Sequence, residues 1–488
     1  MTTIESTPTA APANSGGVST NDVAAVATTY AFQRAAFAHA PNPSPAERRE
    51  HLSRLIALVM ENQGEIAEAI SRDFLYRTPR ETRALEFVPS ILNLKHSRAH
   101  LAAWMKREKK AGNKWTNPGT AHVEWQPLGV VGVIVPWNYP LYLALGPLTS
   151  ALAAGNRVII KMSEATPHFG SLFQQLIAER FDRSHVAVLN GDVDVAKAVA
   201  SLPLDHLLFT GSTAVGRSVM KAAAENLTPV TLELGGKSPA IVGAGMAVET
   251  AAARIAYGKF LNAGQTCVAP DYALVPADRV EAFVAALGKT FTRLYPAGAL
   301  GADFTRIIDE RHSKRLAGLI DDARSKGARI LSLDATASDA ATHVVTPTLV
   351  LDPTDDMLVM KEEIFGPILP IVTYETLDEA IRFVNARPRP LALYLFDRDG
   401  ESIKHVLSST ISGGAAVNET IFHLLQDNLP FGGIGPSGMG AYHGKDGFAT
   451  FSHKKGVFVQ SNLLRGATLL EPPYSKISDF VVDLMLRF

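Results

Sequence analysis

Cysteine is nearly missing from this sequence. Its 488 residues include one, Cys267, so no intrachain disulfide can form, and the thiol is either a small buried hydrophobe or a working group in a reducing compartment. An excess of one charge is also missing. The 47 Lys+Arg stand against 48 Asp+Glu, a formal net charge of −1, which removes the broad attraction that nucleic-acid binding uses. There is no GxSxG nucleophile elbow. His96 and His100 are spaced i, i+4 as two zinc ligands would be, but Ser97 stands where HExxH has its glutamate and no third ligand is near. The pair reads as a partly solvated helix face, and no metal is expected. Met1 to Thr20 lacks the basic and apolar regions of a signal peptide and reads as a loose tail. Trp125 to Asn156 carries no charged residue and passes a crude length test for a membrane span. Pro127, Pro136, Pro140 and Pro147, with Gly129, Gly132 and Gly146, divide it instead as a buried strand, turn and helix would be divided.

What is present is apolar substance, 47% of residues, in a length that suggests two to four domains. The spacing of Leu52, Leu55, Ile56 and Val59 makes Pro45 to Asp73 helical, and the helical character continues through Leu85 to Trp104. Gly129 to Val135 then reads as a strand covered on both faces, followed by a turn and a helix from Leu141 to Ala154. Strands at Arg157 to Ile160, Val186 to Leu189, His206 to Phe209 and Pro229 to Leu234 alternate with helices at Phe169 to Arg180, Val193 to Ser201 and Ala214 to Glu225. This is the pattern of an α/β parallel sheet. A second α/β block follows, with helices near Val248 to Asn262, Val280 to Leu294 and Arg311 to Lys326, and strands near Ala273 to Val275, Ile368 to Val372 and Leu393 to Phe396.

Asn138, Lys161, Thr210-Gly211-Ser212 and Glu233 all fall at carboxyl ends of these strands, the edge where open parallel sheets bind ligands. A nucleotide site there is the first functional inference. Gly211 to Ser218 is close to a GxxxxGK[ST] phosphate loop, but Arg217 replaces the lysine, which argues against an NTPase. Gly433 to Gly438 matches GxGxxG in letters, without a strand before it or a helix after it. Cys267 follows a helical run that ends at a Gly-containing turn, so it is either a core thiol or an accessible one. Glu233 closes an apolar strand and is either a salt-bridge partner of Lys237 or a base whose pKa is raised by its surroundings.

Together the segments resemble the aldehyde dehydrogenase superfamily over about residues 45 to 460. The matching stretches are Pro136-Trp137-Asn138-Tyr139-Pro140, Lys161 with Ser163-Glu164, Phe209-Thr210-Gly211-Ser212 with Gly216, Glu233-Leu234-Gly235-Gly236-Lys237, Gly264-Gln265-Thr266-Cys267, Glu362-Glu363-Ile364-Phe365-Gly366-Pro367 and Pro430-Phe431-Gly432-Gly433. Leu227 to Glu233, Ala269 to Tyr272 and Ser437 to Lys445 are similar to the class 3 branch, which includes fatty, aromatic and coniferyl aldehyde dehydrogenases. One departure is Met162, where family members carry proline; it is expected to shift the backbone at Lys161.

The resemblance implies a Rossmann-type dinucleotide-binding domain plus a second α/β catalytic domain and a small oligomerisation element. The implied division is a tail at 1–20, an NAD-binding domain at 21–233 with bridging strands around 107–127, a catalytic domain at 234–440 and a C-terminal oligomerisation segment and helix at 441–488. It implies oxidation of an aromatic or medium-to-long aliphatic aldehyde to the acid, coniferyl aldehyde first, through a thiohemiacetal and thioester on Cys267. Asn138 would hold the oxyanion, and Glu233 would activate the hydrolytic water. Lys161 and Glu363 would grip ribose hydroxyls, Ser212 and Gly211 the pyrophosphate, with Trp137 and Phe365 beside the cofactor. Glu164 would repel a 2′-phosphate and favour NAD over NADP. A cytoplasmic homodimer is implied. Acyl transfer to coenzyme A and a non-catalytic scaffold are the competing readings; Glu233 argues for water, and Cys267, Asn138 and Glu233 together argue against a scaffold. Ile477, Phe480, Val481, Leu484, Met485 and Phe488 form an apolar helical stripe, read as core or subunit packing or as a cap over a substrate funnel.

Overall fold

A computed structural model describes residues 20–112, 118–335, 338–339, 341–463, 468 and 471–487. The tail read at 1–20 therefore lies, Thr20 apart, outside the described residues. Strands β1 (Glu108–Lys110) and β2 (Thr120–Pro127) open a small antiparallel sheet. Five parallel strands follow: β3 (Val130–Ile134), β4 (Arg157–Lys161), β5 (Val186–Leu189), β6 (His206–Thr210) and β7 (Val230–Glu233). A second large sheet takes β8 (Pro239–Val242), β9 (Tyr272–Pro276), β10 (Arg329–Ser332), β11 (Thr348–Leu351), β12 (Ile368–Tyr374), β13 (Ala392–Phe396) and β14 (Gly414–Val417). Its order is β10-β11-β12-β9-β8-β13-β14, with β10 antiparallel at one edge. The short β15 (Gly438–Met439) returns to pair antiparallel with β7, and β16 (Ser452–Val459) pairs with β2. The first large sheet thus runs β15-β7-β6-β3-β4-β5. The molecule is α/β, and a contiguous apolar core extends through both large sheets.

The charge-free run folds as a strand, a turn at Pro136 to Pro140 and a helix that accommodates Pro147 in its interior. All of β3 is buried, and so is every residue of the helix Tyr142–Ala154. That helix ends at Gly155 with φ 93°, where a Cβ would stand 2.6 Å from the Arg48 guanidinium carbon. The close approach lets buried Arg48 donate to the terminal carbonyls of Ala153 and Ala154 at 3.0 and 2.7 Å, satisfying acceptors that the helix leaves unpaired. Among the described residues no helix is long and apolar enough to cross a membrane.

The helix expected from Pro45 to Asp73 is two helices, Pro45–Glu61 and Gln63–Asp73. Asn62 interrupts them, its side chain donating to the Leu58 carbonyl at 2.8 Å. Such local bonding competes with the helical ladder. A helix at Thr20–His39 has no strong apolar period in its sequence; it is tied to the first sheet by Gln33, which donates to the carbonyls of Val158 and Arg183. Strands β8, β10, β11 and β14, four residues each, are too short for alternation to reveal. In the C-terminal helix Lys476–Arg487 the stripe is divided: Ile477 and Phe480 are exposed, while Val481, Leu484 and Met485 are half-buried, so it is not a core face of this chain. Phe488 lies outside the described residues.

Candidate active site

The two large sheets contribute opposite edges to one cavity. Asn138 follows β3, Thr210-Gly211-Ser212 closes β6 and Glu233 ends β7, all at carboxyl ends. Cys267 lies just ahead of β9 and Glu363 just ahead of β12, at amino ends. The cavity holds about 530 Å³ and is lined by Trp137, Asn138, Gly211, Ser212, Glu233, Cys267, Glu363 and Phe365. Thr210, His312, Arg315 and Glu362 line it too. Sequence reasoning did not single out His312 or Arg315, because on the helix Glu310–Ser325 they look like any other polar positions of an amphipathic helix.

Lys161 and Glu164 are not among the lining residues. Lys161 is buried at the end of β4, one strand farther out on the same edge, and its Nζ donates to the Met162 carbonyl at 2.6 Å with Glu164 Oε2 at 3.8 Å. Burial lowers its pKa. Met162 does act on this backbone: its N–H, which proline would lack, donates to Leu189 at 3.0 Å and adds a rung between β4 and β5.

Cys267 is half-buried. The turn before it places Asn262, Ala263 and Gly264 at φ 49°, 52° and 75°, and each left-handed non-glycine costs roughly 1–2 kcal/mol. Side chains hold the turn. Asn262 N–H donates to Glu81 Oε1 at 2.7 Å. Gln265 donates to the carbonyls of Asn262 and Arg306, both at 3.0 Å, and accepts from Ile308 N–H at 2.9 Å. Glycine is required at 264, since a Cβ would stand 2.3 Å from the Gly366 carbonyl oxygen. The Asn138 amide donates to the Gln265 carbonyl at 3.1 Å. Burial first, then the Glu363 and Glu233 carboxylates, push the Cys267 thiol up to about 12.

Glu233 is 3% exposed, and among the described residues neither carboxylate oxygen has a hydrogen-bond partner. Burial raises its pKa well above the ordinary carboxylate range. Lys237 pairs with Asp271 and donates to the Val359 and Glu362 carbonyls at 2.6 and 2.9 Å, so the Glu233–Lys237 bridge does not form. A buried carboxyl without a partner is costly unless it stays protonated. Glu363 is pushed up to about 7, chiefly by burial with Asp271 adding; the Gly236 N–H, Lys237 and Arg315 oppose. Its carboxylate lies against Gly235, where a Cβ would stand 2.1 Å from Oε1. Trp137 meets Phe365 and His312 edge-on, at 5.3 and 5.1 Å between ring centroids.

These residues fit a dinucleotide. Ser212 caps the helix Thr213–Ala224, accepting from Val215 N–H at 3.4 Å, and that helix N-terminus opens on the cavity, a ready anion site. Buried Thr210 Oγ1 has no hydrogen-bond partner among the described residues, and the Glu363 carboxylate offers an acceptor for hydroxyls. Among the described residues no group of three or more His, Cys, Asp and Glu could hold a metal.

Residues 2–457 match the family described as "Aldehyde dehydrogenase family". A protein of Pseudomonas aeruginosa named "Probable coniferyl aldehyde dehydrogenase" is 51% identical over 459 residues, 94% of this chain and 96% of that protein. Among solved structures, the substrate-bound state of Staphylococcus aureus AldH superposes with TM-score 0.89 at 38% identity, covering 94% of this chain and 99% of that one. A Mycobacterium tuberculosis aldehyde dehydrogenase complexed with NAD+ superposes with TM-score 0.82 at 29% identity, over 91% of each chain.

Proposed function

This chain belongs to the aldehyde dehydrogenase family and is an NAD(P)-dependent enzyme of it, and on that premise we propose that Cys267, Asn138 and Glu233 oxidise an aromatic aldehyde, coniferyl aldehyde first, to the carboxylic acid. The observation that carries the assignment is the unpartnered Glu233 carboxyl in the same cavity as the chain's one thiol and the Asn138 amide. The substrate choice leans on the name of the Pseudomonas relative.

The Cys267 sulfur attacks the carbonyl carbon, giving up its proton to Glu233, which lines the same cavity. The Asn138 amide and the Cys267 N–H hold the oxyanion of the tetrahedral adduct. Bound NAD would supply the hydride acceptor, and loss of hydride from the adduct leaves a thioester on Cys267. Glu233, once it has passed that first proton to solvent, takes a proton from the water that attacks the thioester; the acid is released and the leaving thiolate regains a proton. Lys161 and Glu363 would hold ribose hydroxyls, Gly211, Ser212 and the helix N-terminus the pyrophosphate, and Trp137 and Phe365 would flank the cofactor. Glu164, beside Lys161 at the outer end of this edge, disfavours a 2′-phosphate and so favours NAD.

We divide the chain into an NAD-binding domain at 21–233, a catalytic domain at 234–440 and an oligomerisation segment and helix at 441–488. A homodimer is supported by the half-exposed Phe458 and Val459 on the edge strand β16 and by the exposed Ile477 and Phe480 of the last helix. A single working thiol needs a reducing compartment, which supports a cytoplasmic location.

The test mixes the protein with NAD or NADP and cinnamaldehyde-like, benzaldehyde-like or fatty aldehydes, with and without coenzyme A, and follows nicotinamide absorbance. Fastest reduction with coniferyl aldehyde and NAD, without coenzyme A, is the expected result. A strict need for coenzyme A overturns the hydrolytic role of Glu233, and a strong preference for fatty aldehydes overturns the substrate.

A further inference from the structure

Behind the Asn138 loop lies a buried ion pair that the chemistry above does not use. Arg77 and Glu86 are both fully buried and meet at 2.7 Å. The other Glu86 oxygen accepts from Leu141 N–H at 2.7 Å and from Tyr142 N–H at 3.1 Å, the start of the helix Tyr142–Ala154. The same Arg77 nitrogen that binds Glu86 also donates to the Asn138 carbonyl at 3.3 Å, and the guanidinium lies over the Tyr139 ring at 5.1 Å. The Tyr139 hydroxyl in turn meets Thr266 Oγ1 at 2.6 Å, one residue before Cys267.

A buried ion pair is weak evidence for stability, because desolvation consumes most of its attraction. Here Arg77 Nε and a second guanidinium nitrogen have no hydrogen-bond partner among the described residues, so the pair is not fully satisfied even as a structural element. Its contacts converge on residues 138–142, the segment that must aim the Asn138 amide at a developing oxyanion, where a misplacement of about 1 Å can cost a hundredfold in rate.

We propose that Arg77, Glu86 and Tyr139 are positioning residues that brace the Asn138 loop against the nucleophile turn. This rests on the reading of Asn138 as the oxyanion donor. The pair fixes the loop's backbone at both ends, and the Tyr139–Thr266 contact locks it to the turn that carries Cys267.

Replacing Arg77→Met together with Glu86→Gln removes both charges at once, keeps an acceptor for Leu141 and Tyr142, and cuts the tether to the Asn138 carbonyl. The expected result is a fall in kcat of about tenfold, with KM for aldehyde and Kd for NAD within about twofold. In an Asn138→Ala background the same replacements should lower kcat by less than about twofold, because the group they position is gone. Effects that multiply in that background would overturn the proposal, as would a loss confined to NAD affinity. Asn138→Ala with an unchanged kcat would remove the oxyanion reading and this proposal with it, so the two failures are distinguishable. Should the double replacement not fold, Tyr139→Phe, which deletes one oxygen atom, carries the same expectation at about threefold, with the same coupling to Asn138→Ala.

Discussion

The Asn138 amide of one sheet donates to the Gln265 carbonyl of the other at 3.1 Å and its carbonyl accepts from the Asn262 amide at 3.1 Å, so the proposed oxyanion donor is bonded directly to the turn that precedes Cys267. Removing the amide tests both ends of that relationship. Asn138→Ala should lower kcat at least a hundredfold, about 3 kcal/mol of transition-state stabilisation, with NAD affinity retained; steady-state kinetics with NAD titration by fluorescence reads both.

Cys267 can be followed without interference, since it is the chain's one cysteine. With its pKa pushed up to about 12 by burial and by the Glu363 and Glu233 carboxylates, alkylation of the free enzyme by iodoacetamide should be slow at neutral pH and rise steadily toward alkaline pH. Glu363→Gln should accelerate it severalfold near neutrality by removing one negative neighbour. A pH-independent rate in the free enzyme, measured by intact mass, would show a thiolate already formed.

Glu233 ties activity to stability with opposite signs. Its raised pKa means that the folded state holds the proton more tightly than the unfolded chain does. The stability it contributes is therefore complete below the ordinary carboxylate pKa and is lost as pH rises through the raised value. Activity needs the deprotonated base and should rise over that same range. Glu233→Gln should abolish steady-state turnover, leave at most one burst of reduced nicotinamide, and raise Tm relative to the parent on the alkaline side. Tm curves that stay parallel at all pH would contradict the burial argument.

Gly235→Ala addresses Glu363. The added Cβ would sit 2.1 Å from Glu363 Oε1, the far end of a flexible side chain, so the carboxylate should swing aside while the fold survives. NAD affinity should fall about tenfold, as for loss of a charged hydrogen-bond acceptor, and Glu363→Gln should weaken binding in the same direction. Isothermal titration decides: unchanged affinity in both variants would separate Glu363 from the cofactor.

Much of this was legible in order along the chain. Pro136 and Pro140 in Trp125–Asn156 part the strand from the fully buried helix, because a proline cannot donate within a continuous span, although Pro147 is accommodated inside that helix. Alternating strands and helices give a parallel sheet, and its carboxyl edge collects Asn138, Thr210, Ser212 and Glu233 by a rule that needs no coordinates. That edge is local: each residue is placed by the strand it follows.

The other half of the cavity obeys no such rule. Cys267 and Glu363 stand at the amino ends of β9 and β12, where periodicity gives no hint of a ligand. His312 and Arg315 come from a helix with nothing distinctive in its letters. Whether Glu233 bonds Lys237 or stands alone was open in the sequence and is closed only because Asp271, distant along the chain, captures the lysine. The sequence by itself settled the alternating strands and helices of the first sheet, its ligand-binding edge and the family pattern, since these depend on neighbours and spacing. The tertiary structure decided which charges remain unpaired and which edges face each other, because burial and pairing depend on residues brought together by packing.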